Sequence, residues 1–135
     1  MEKQWSLESF GADGAHVKVV IAQLPCRVGR SKENDVVIPA LGLSRFHAVL
    51  ERDISGQLRL VDENSTNGTF VNRNRVDGYC LLKENDIIHF ASAEFKLRMA
   101  LVDQSDVLAF DQMHTMIIPA NMALSEDFVP NEVEF

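Results

Sequence analysis

The amino-acid sequence predicts an all-β fold over residues 5–101, an antiparallel sandwich or barrel, followed by a largely irregular C-terminal extension. Three observations predict it. Short runs rich in Val, Ile and Phe recur along the chain, turn chemistry separates them, and none sustains a helical period. In AEFKLRM, Phe95, Leu97 and Met99 alternate with Glu94, Lys96 and Arg98, the period of a strand with one dry face and one wet face.

Taken in order, the first strand signals begin near Trp5 and continue in HVKVVI, DVVI and FHAVLERD. QLRLV repeats the alternation with Leu58 and Leu60 inward around Arg59, and TFVN and DIIHF add further apolar runs. The separating stretches GADG, SKEND, ISGQ, STNG and KEND combine Gly, Asn, Asp and Ser, residues that favour turn geometry. From Val102 onward every basic residue disappears and two prolines, three methionines and scattered acids enter. The expected organisation is a domain at 1–102 and an acidic linker or docking extension at 103–135, leading to a further domain of a longer protein.

Charge narrows the partners. Of the 20 acids, Asp103, Asp106, Asp111, Glu126, Asp127, Glu132 and Glu134 lie in the extension, so residues 1–102 hold equal numbers of acids and bases. A neutral body with an acidic tail is poorly suited to a nucleic-acid groove, and neither a nucleic-acid nor a membrane partner is expected. The chain lacks an apolar run of roughly 18–20 residues, and MEKQWSLESF has no secretory pattern, so a cytoplasmic location is expected. Cys26 and Cys80 have no metal-ligand spacing and are expected to be reduced, buried thiols. His16, His47, His89 and His114 form no ligand motif either, and Ser44 and His47 have no nucleophile elbow or acid partner. No metal, cofactor or catalysis is expected.

Three loops gather residues of one chemical type. VGRSKEND contains Gly29 and Arg30, LGLSRFHAV contains Ser44, Arg45 and His47, and ENSTNGTFVN contains Ser65, Thr66, Asn67 and Gly68. Asn-Gly alone would make a turn, so the extra hydroxyls and amides call for a use. Donors gathered from separate loops suit a phosphorylated side chain, which brings about −1.5 to −2 charges and three acceptor oxygens. Arg is the matching residue, because its planar fork holds two oxygens at once.

GR, then SRFH, then STNGTFVN, set among short strands, resembles the forkhead-associated (FHA) domain over about residues 5–101. The resemblance implies a twisted antiparallel β-sandwich whose loops at one end recognise phosphothreonine in a partner protein or peptide. It implies that Arg30 and Ser44 hold the phosphate, that Arg45 and Thr66 reach phosphate or peptide, and that Asn67 binds the peptide main chain. Gly29, His47 and Gly68 are then structural supports of the loops. The partner would depend on an upstream Ser/Thr kinase; the alternative is a phosphate-independent FHA-type scaffold or a regulatory domain of a larger signalling enzyme. One departure is that Arg73 and Asn74 follow TFVN where the family usually has a glycine, so Asn74 is expected to take the left-handed turn position. Arg73 and Arg75 are expected to face water. In the extension, Thr115 is a candidate phosphorylation site with Ile118 three residues on, offering self-association through the same site.

Overall fold

The computed structural model describes residues 2–10, 16–102 and 116–117. Among them there is no helix. Two six-stranded sheets pack face to face. The first contains β1 (Glu2–Phe10), β2 (His16–Ile21), β7 (Thr69–Val71), β8 (Asn74–Arg75), β10 (Ile87–Phe90) and β11 (Ala93–Val102), in the order β2-β1-β11-β10-β7-β8. The second contains β3 (Cys26–Gly29), β4 (Val36–Val37), β5 (Ala48–Arg52), β6 (Leu58–Asp62), β9 (Tyr79–Leu81) and β12 (Met116–Ile117), in the order β12-β4-β3-β5-β6-β9. The expected β-sandwich is present, and most of its strand pairs are antiparallel. The exception is β4, which runs parallel to β3 on one side and to β12 on the other.

Alternation builds the core. Phe95 and Leu97 on β11, Leu58 and Leu60 on β6, and Ala48 and Leu50 on β5 are all buried between the sheets. Phe90 and Phe95 meet at 5.8 Å between ring centroids, and Leu7, Val19, Val28 and Ile88 close the layer. Burying side chains of this size contributes about 1.5–3 kcal/mol each, which offsets the ordering of many short strands and long loops. Cys26 is buried as expected, but Cys80 on the edge strand β9 is only half-buried; neither is in a disulfide.

The turn after TFVN differs from expectation. Val71 pairs with Asn74, so the two-residue turn between β7 and β8 is Asn72–Arg73, with φ of 51° and 70°. Asn74 is therefore a strand residue, and Arg73 takes the left-handed position that glycine usually fills. Asn72 fixes the register: its Nδ2 donates to Asp86 Oδ1 at 3.0 Å, and its Oδ1 accepts from Ile87 N at 3.0 Å.

Strand directions sort the loops. β3 ends at Gly29, just before Arg30, β5 starts after His47, β6 ends before the 63–68 loop, and Ala91 N, between β10 and β11, donates to Gly68 O at 2.9 Å. All of these lie at one end of the sandwich. The β5–β6 hairpin, the start of β1 and the end of β11 lie at the other.

Candidate functional site

The loop after β3 is built for close approach. Ser31 N donates to Arg45 O at 3.1 Å and Arg30 N donates to Ser44 O at 3.0 Å, which ties the 30–35 loop to the 38–47 loop by backbone alone. Gly29 makes the approach feasible, since a Cβ there would strike the Arg45 carbonyl and stand 2.8 Å from Asn34 Nδ2. Asn34 completes the clamp, its Nδ2 donating to Ser31 O at 2.8 Å and to Arg45 O at 2.7 Å. Arg30 Nε donates to Leu43 O at 3.1 Å, which orients the guanidinium plane. Among the described residues its terminal nitrogens have no partner, and the side chain is exposed.

His47 joins the second loop to the third. It is fully buried, and Phe90 packs edge-on against it at 6.0 Å. Ser44 N donates to Nδ1 at 3.1 Å, so the ring proton is on Nε2, which donates to Gly68 O at 2.9 Å. Burial pushes the His47 pKa below its ordinary value, opposed by the Gly68 hydrogen bond and the charge of Asp62. The neutral ring is the one this geometry requires, because a protonated Nδ1 could not accept from Ser44.

The 63–68 loop divides its polar residues between two tasks. Asn64 enters it with φ of 61°. Ser65 is buried: its Oγ donates to Asp62 Oδ1 at 2.6 Å and accepts from Gly68 N at 3.1 Å. Thr69 Oγ1 donates to the same Asp62 oxygen at 2.6 Å. Ser65 is therefore spent inside the loop and offers nothing outward. Thr66 is exposed, and its N–H donates to Ser44 Oγ at 3.1 Å. Asn67 Nδ2 donates to Gly42 O at 2.9 Å, while Gly42 and Gly68 each have φ of 92°. That leaves the Asn67 carbonyl oxygen as an acceptor on the rim.

Arg30, Ser44, Thr66 and Asn67 are thus brought together on three connected loops. The exposed Arg45 lies next to Ser44, and Gly29, His47 and Gly68 lie beneath. Thr115 lies outside the described residues. Asn34, Gly42 and Asp62 also shape the site, although sequence reasoning passed over them; Asn34 was hidden in a plain turn motif, and Asp62 in a strand end. Arg75 is exposed, as expected, and it also flanks this loop: its guanidinium carbon stands 6.0 Å from the Phe70 ring centroid and 3.2 Å from where a Gly68 Cβ would be. Beside the loops a groove of about 490 Å³ is lined by Arg27, Asn34, Phe46, Val49 and Glu63, among others.

Residues 26–91 match the family model of the FHA domain. The chain contains an FHA domain. Residues of the chain are 45% identical over 62 positions to the ABC transporter ATP-binding/permease protein Rv1747 of Mycobacterium tuberculosis, covering 46% of this chain and 7% of that protein. Among solved structures, Mycobacterium tuberculosis EmbR in complex with a low-affinity phosphopeptide superposes with a TM-score of 0.61 at 27% identity, covering 75% of this chain and 26% of EmbR. The yeast Dun1 FHA domain, bound to a doubly phosphorylated peptide derived from Rad53, superposes with a TM-score of 0.60 at 28% identity, covering 76% of this chain and 81% of that one. The chain spans 7% of the transporter and 19% of the curated regulatory protein EmbR.

Proposed function

We propose that the three loops bind a phosphothreonine peptide and that the chain thereby mediates phosphorylation-dependent protein–protein contact in signalling, downstream of a Ser/Thr kinase. The observation that carries this reading is the Ser44 hydroxyl. It accepts from Thr66 N, its own proton has no partner among the described residues, and it shares a rim with the Arg30 guanidinium. A dianionic phosphate would take the Arg30 fork and the Ser44 hydroxyl, with Arg45 and the Thr66 hydroxyl alongside. The Asn67 Oδ1 is suited to a peptide N–H next to the phosphorylated residue. Similarity to EmbR and to the Dun1 FHA domain, both solved with phosphopeptides, supports the same reading. The FHA domain would extend over 1–102, with 103–135 as an extension that returns to it at β12.

Charge-assisted hydrogen bonds contribute roughly 1.5–3 kcal/mol each. Three or four of them, less the cost of association, correspond to an affinity near micromolar, about −8 kcal/mol. Calorimetry with a phosphothreonine peptide, its phosphoserine counterpart and the unmodified sequence tests the proposal. Arg30→Ala should weaken phosphopeptide binding at least about tenfold, the loss of one such bond. Equal affinity for phosphorylated and unmodified peptides would assign the domain to phosphate-independent scaffolding instead. A tail peptide phosphorylated on Thr115 belongs in the same panel, since binding there would make the extension a ligand.

A further inference from the structure

At the end of the sandwich opposite the loops the two sheets leave a gap. Trp5 pairs with Met99 and Lys3 with Leu101 across β1 and β11, so all four lie on the face that Leu7 and Leu97 turn into the core. Between these strands and Leu58 and Leu82 opens a cleft of about 810 Å³, and the phosphopeptide site makes no use of it. Its floor is apolar, with Trp5, Leu58, Leu82 and Met99, and its rim is basic, with Lys3, Arg52 and Lys83, all exposed. A second hollow of about 150 Å³ shares Lys3, Trp5 and Arg52 with it and continues past Ile21 and Leu24, which extends the cleft into a groove.

The positive rim is not compensated. Among the described residues neither Lys3 nor Arg52 is in an ion pair, and Lys83 reaches Asp86 only at 3.9 Å. The acids nearby are engaged elsewhere. Arg98 holds Glu84 at 3.7 Å, and Asp53 Oδ1 accepts from Ser55 N, Ser55 Oγ and Gln57 N inside its own turn.

We propose that this groove is a second protein-binding site, whose occupant is an unphosphorylated acidic segment of a partner protein with Phe or Leu set between Asp and Glu residues. Charge complementarity selects the acids, and an aromatic and aliphatic floor selects the apolar anchors. The stems of Lys3, Arg52 and Lys83 can lie along those anchors while their charged heads meet carboxylates. The exposed Gln57 amide, which has no partner among the described residues, suits a peptide main chain. Shape and charge count exclude the other anions. A bilayer cannot follow the floor down between two sheets, and a nucleic acid needs a run of phosphate contacts rather than three cations around a tryptophan. The inference stands apart from phosphopeptide recognition, since none of the groove residues belongs to the three loops.

Trp5 is the only tryptophan in the chain, so its fluorescence reports on the groove directly. The probe is a decapeptide, blocked at both ends, with two Phe and two Leu among six Asp and Glu residues. One control peptide carries Lys for every acid, and another carries Ala for every Phe and Leu. Titrated into the full chain, the acidic peptide should give a saturable change in Trp5 emission, and each control should bind at least about tenfold more weakly. Lys3→Glu with Arg52→Glu should weaken the acidic peptide at least about tenfold and make the Lys peptide the tighter ligand, a reversal that damage to the fold would not produce. No saturable change up to about 1 mM peptide, an equal response to the acidic and Lys peptides, or an unchanged order in the reversed variant would overturn the proposal. So would a Trp5 response to phosphatidylserine vesicles but not to the peptide. Emission that changes when the chain alone is concentrated would overturn it too, because a second copy would then be the occupant.

Discussion

His47 permits a separation that few residues allow, because its two ring nitrogens support two different loops. Ser44 N donates to Nδ1 at 3.1 Å and Nε2 donates to Gly68 O at 2.9 Å, both at a fully buried ring. An asparagine amide can occupy the Nδ1 position and keep the acceptor for Ser44, whereas a glutamine amide reaches the Nε2 position and keeps the donor for Gly68. Each variant leaves one buried backbone group without its partner, a loss of about 1–3 kcal/mol. Against a total stability of about 5–15 kcal/mol, both should remain folded. Urea unfolding should therefore show similar losses for His47→Asn and His47→Gln. Phosphopeptide affinity should not follow stability. In the proposed site the Ser44 hydroxyl takes the phosphate, so His47→Gln should bind several-fold more weakly than His47→Asn, the effect of about 1 kcal/mol at the site. Equal affinities, or a weaker Asn variant, would refute the claim that Nδ1 sets the Ser44 position.

Other consequences concern backbone and protonation. Arg73→Gly should stabilise the domain by about 1 kcal/mol, because Arg73 holds φ of 70° where glycine has no Cβ penalty; a lower thermal midpoint would contradict this. Gly29→Ala should cost about 1–3 kcal/mol, since the new methyl must displace the Arg45 carbonyl, and peptide affinity should fall with it. Unfolding and calorimetry on the same preparation would check both parts. Burial lowers the pKa of both His47 and His89 in the folded chain below the ordinary 6.5, with Glu94 opposing the shift at His89. Folding thus favours the neutral rings, so the associated stability is complete above about pH 6.5 and is lost as pH falls below it. A urea midpoint that stayed level between pH 7.5 and 5.5 would contradict this assignment.

Much of the fold was legible because a strand with one buried face writes its period into the sequence. Phe95, Leu97, Leu58 and Leu60 were readable as core from alternation alone, and all four are buried. The parallel placement of β4 was not legible. It depends on Val28 and Gly29 meeting Val36 and Val37 after a loop that turns back on itself, and nothing local in DVVI encodes a partner strand. The Asn72–Arg73 turn was misplaced for a related reason. Two asparagines flank Arg73, and only the Val71–Asn74 pairing decides which one lies outside the strands.

At the site, residue chemistry was legible and its division of labour was not. The stretch NSTNGT contains more polar side chains than a turn needs, and they fall into two sets. Ser65 and Thr69 converge on Asp62 and hold the loop's shape, while the Asn67 amide, with the Thr66 backbone N–H, connects it to Gly42 and Ser44 on the neighbouring loop and the Thr66 hydroxyl stays outward. A serine that supports and a threonine that presents look alike in sequence, because the distinction is one of direction across a curled backbone. The same holds for Arg30. Its charge could be read from the chain, but its value to an anion depends on Nε being spent on Leu43 O, which fixes the plane and leaves the two terminal nitrogens to act together. A lysine at that position would keep the charge and lose the orientation. Arg30→Lys should therefore retain the salt dependence of phosphopeptide binding while losing about tenfold in affinity, and full affinity with Lys would show that charge alone suffices.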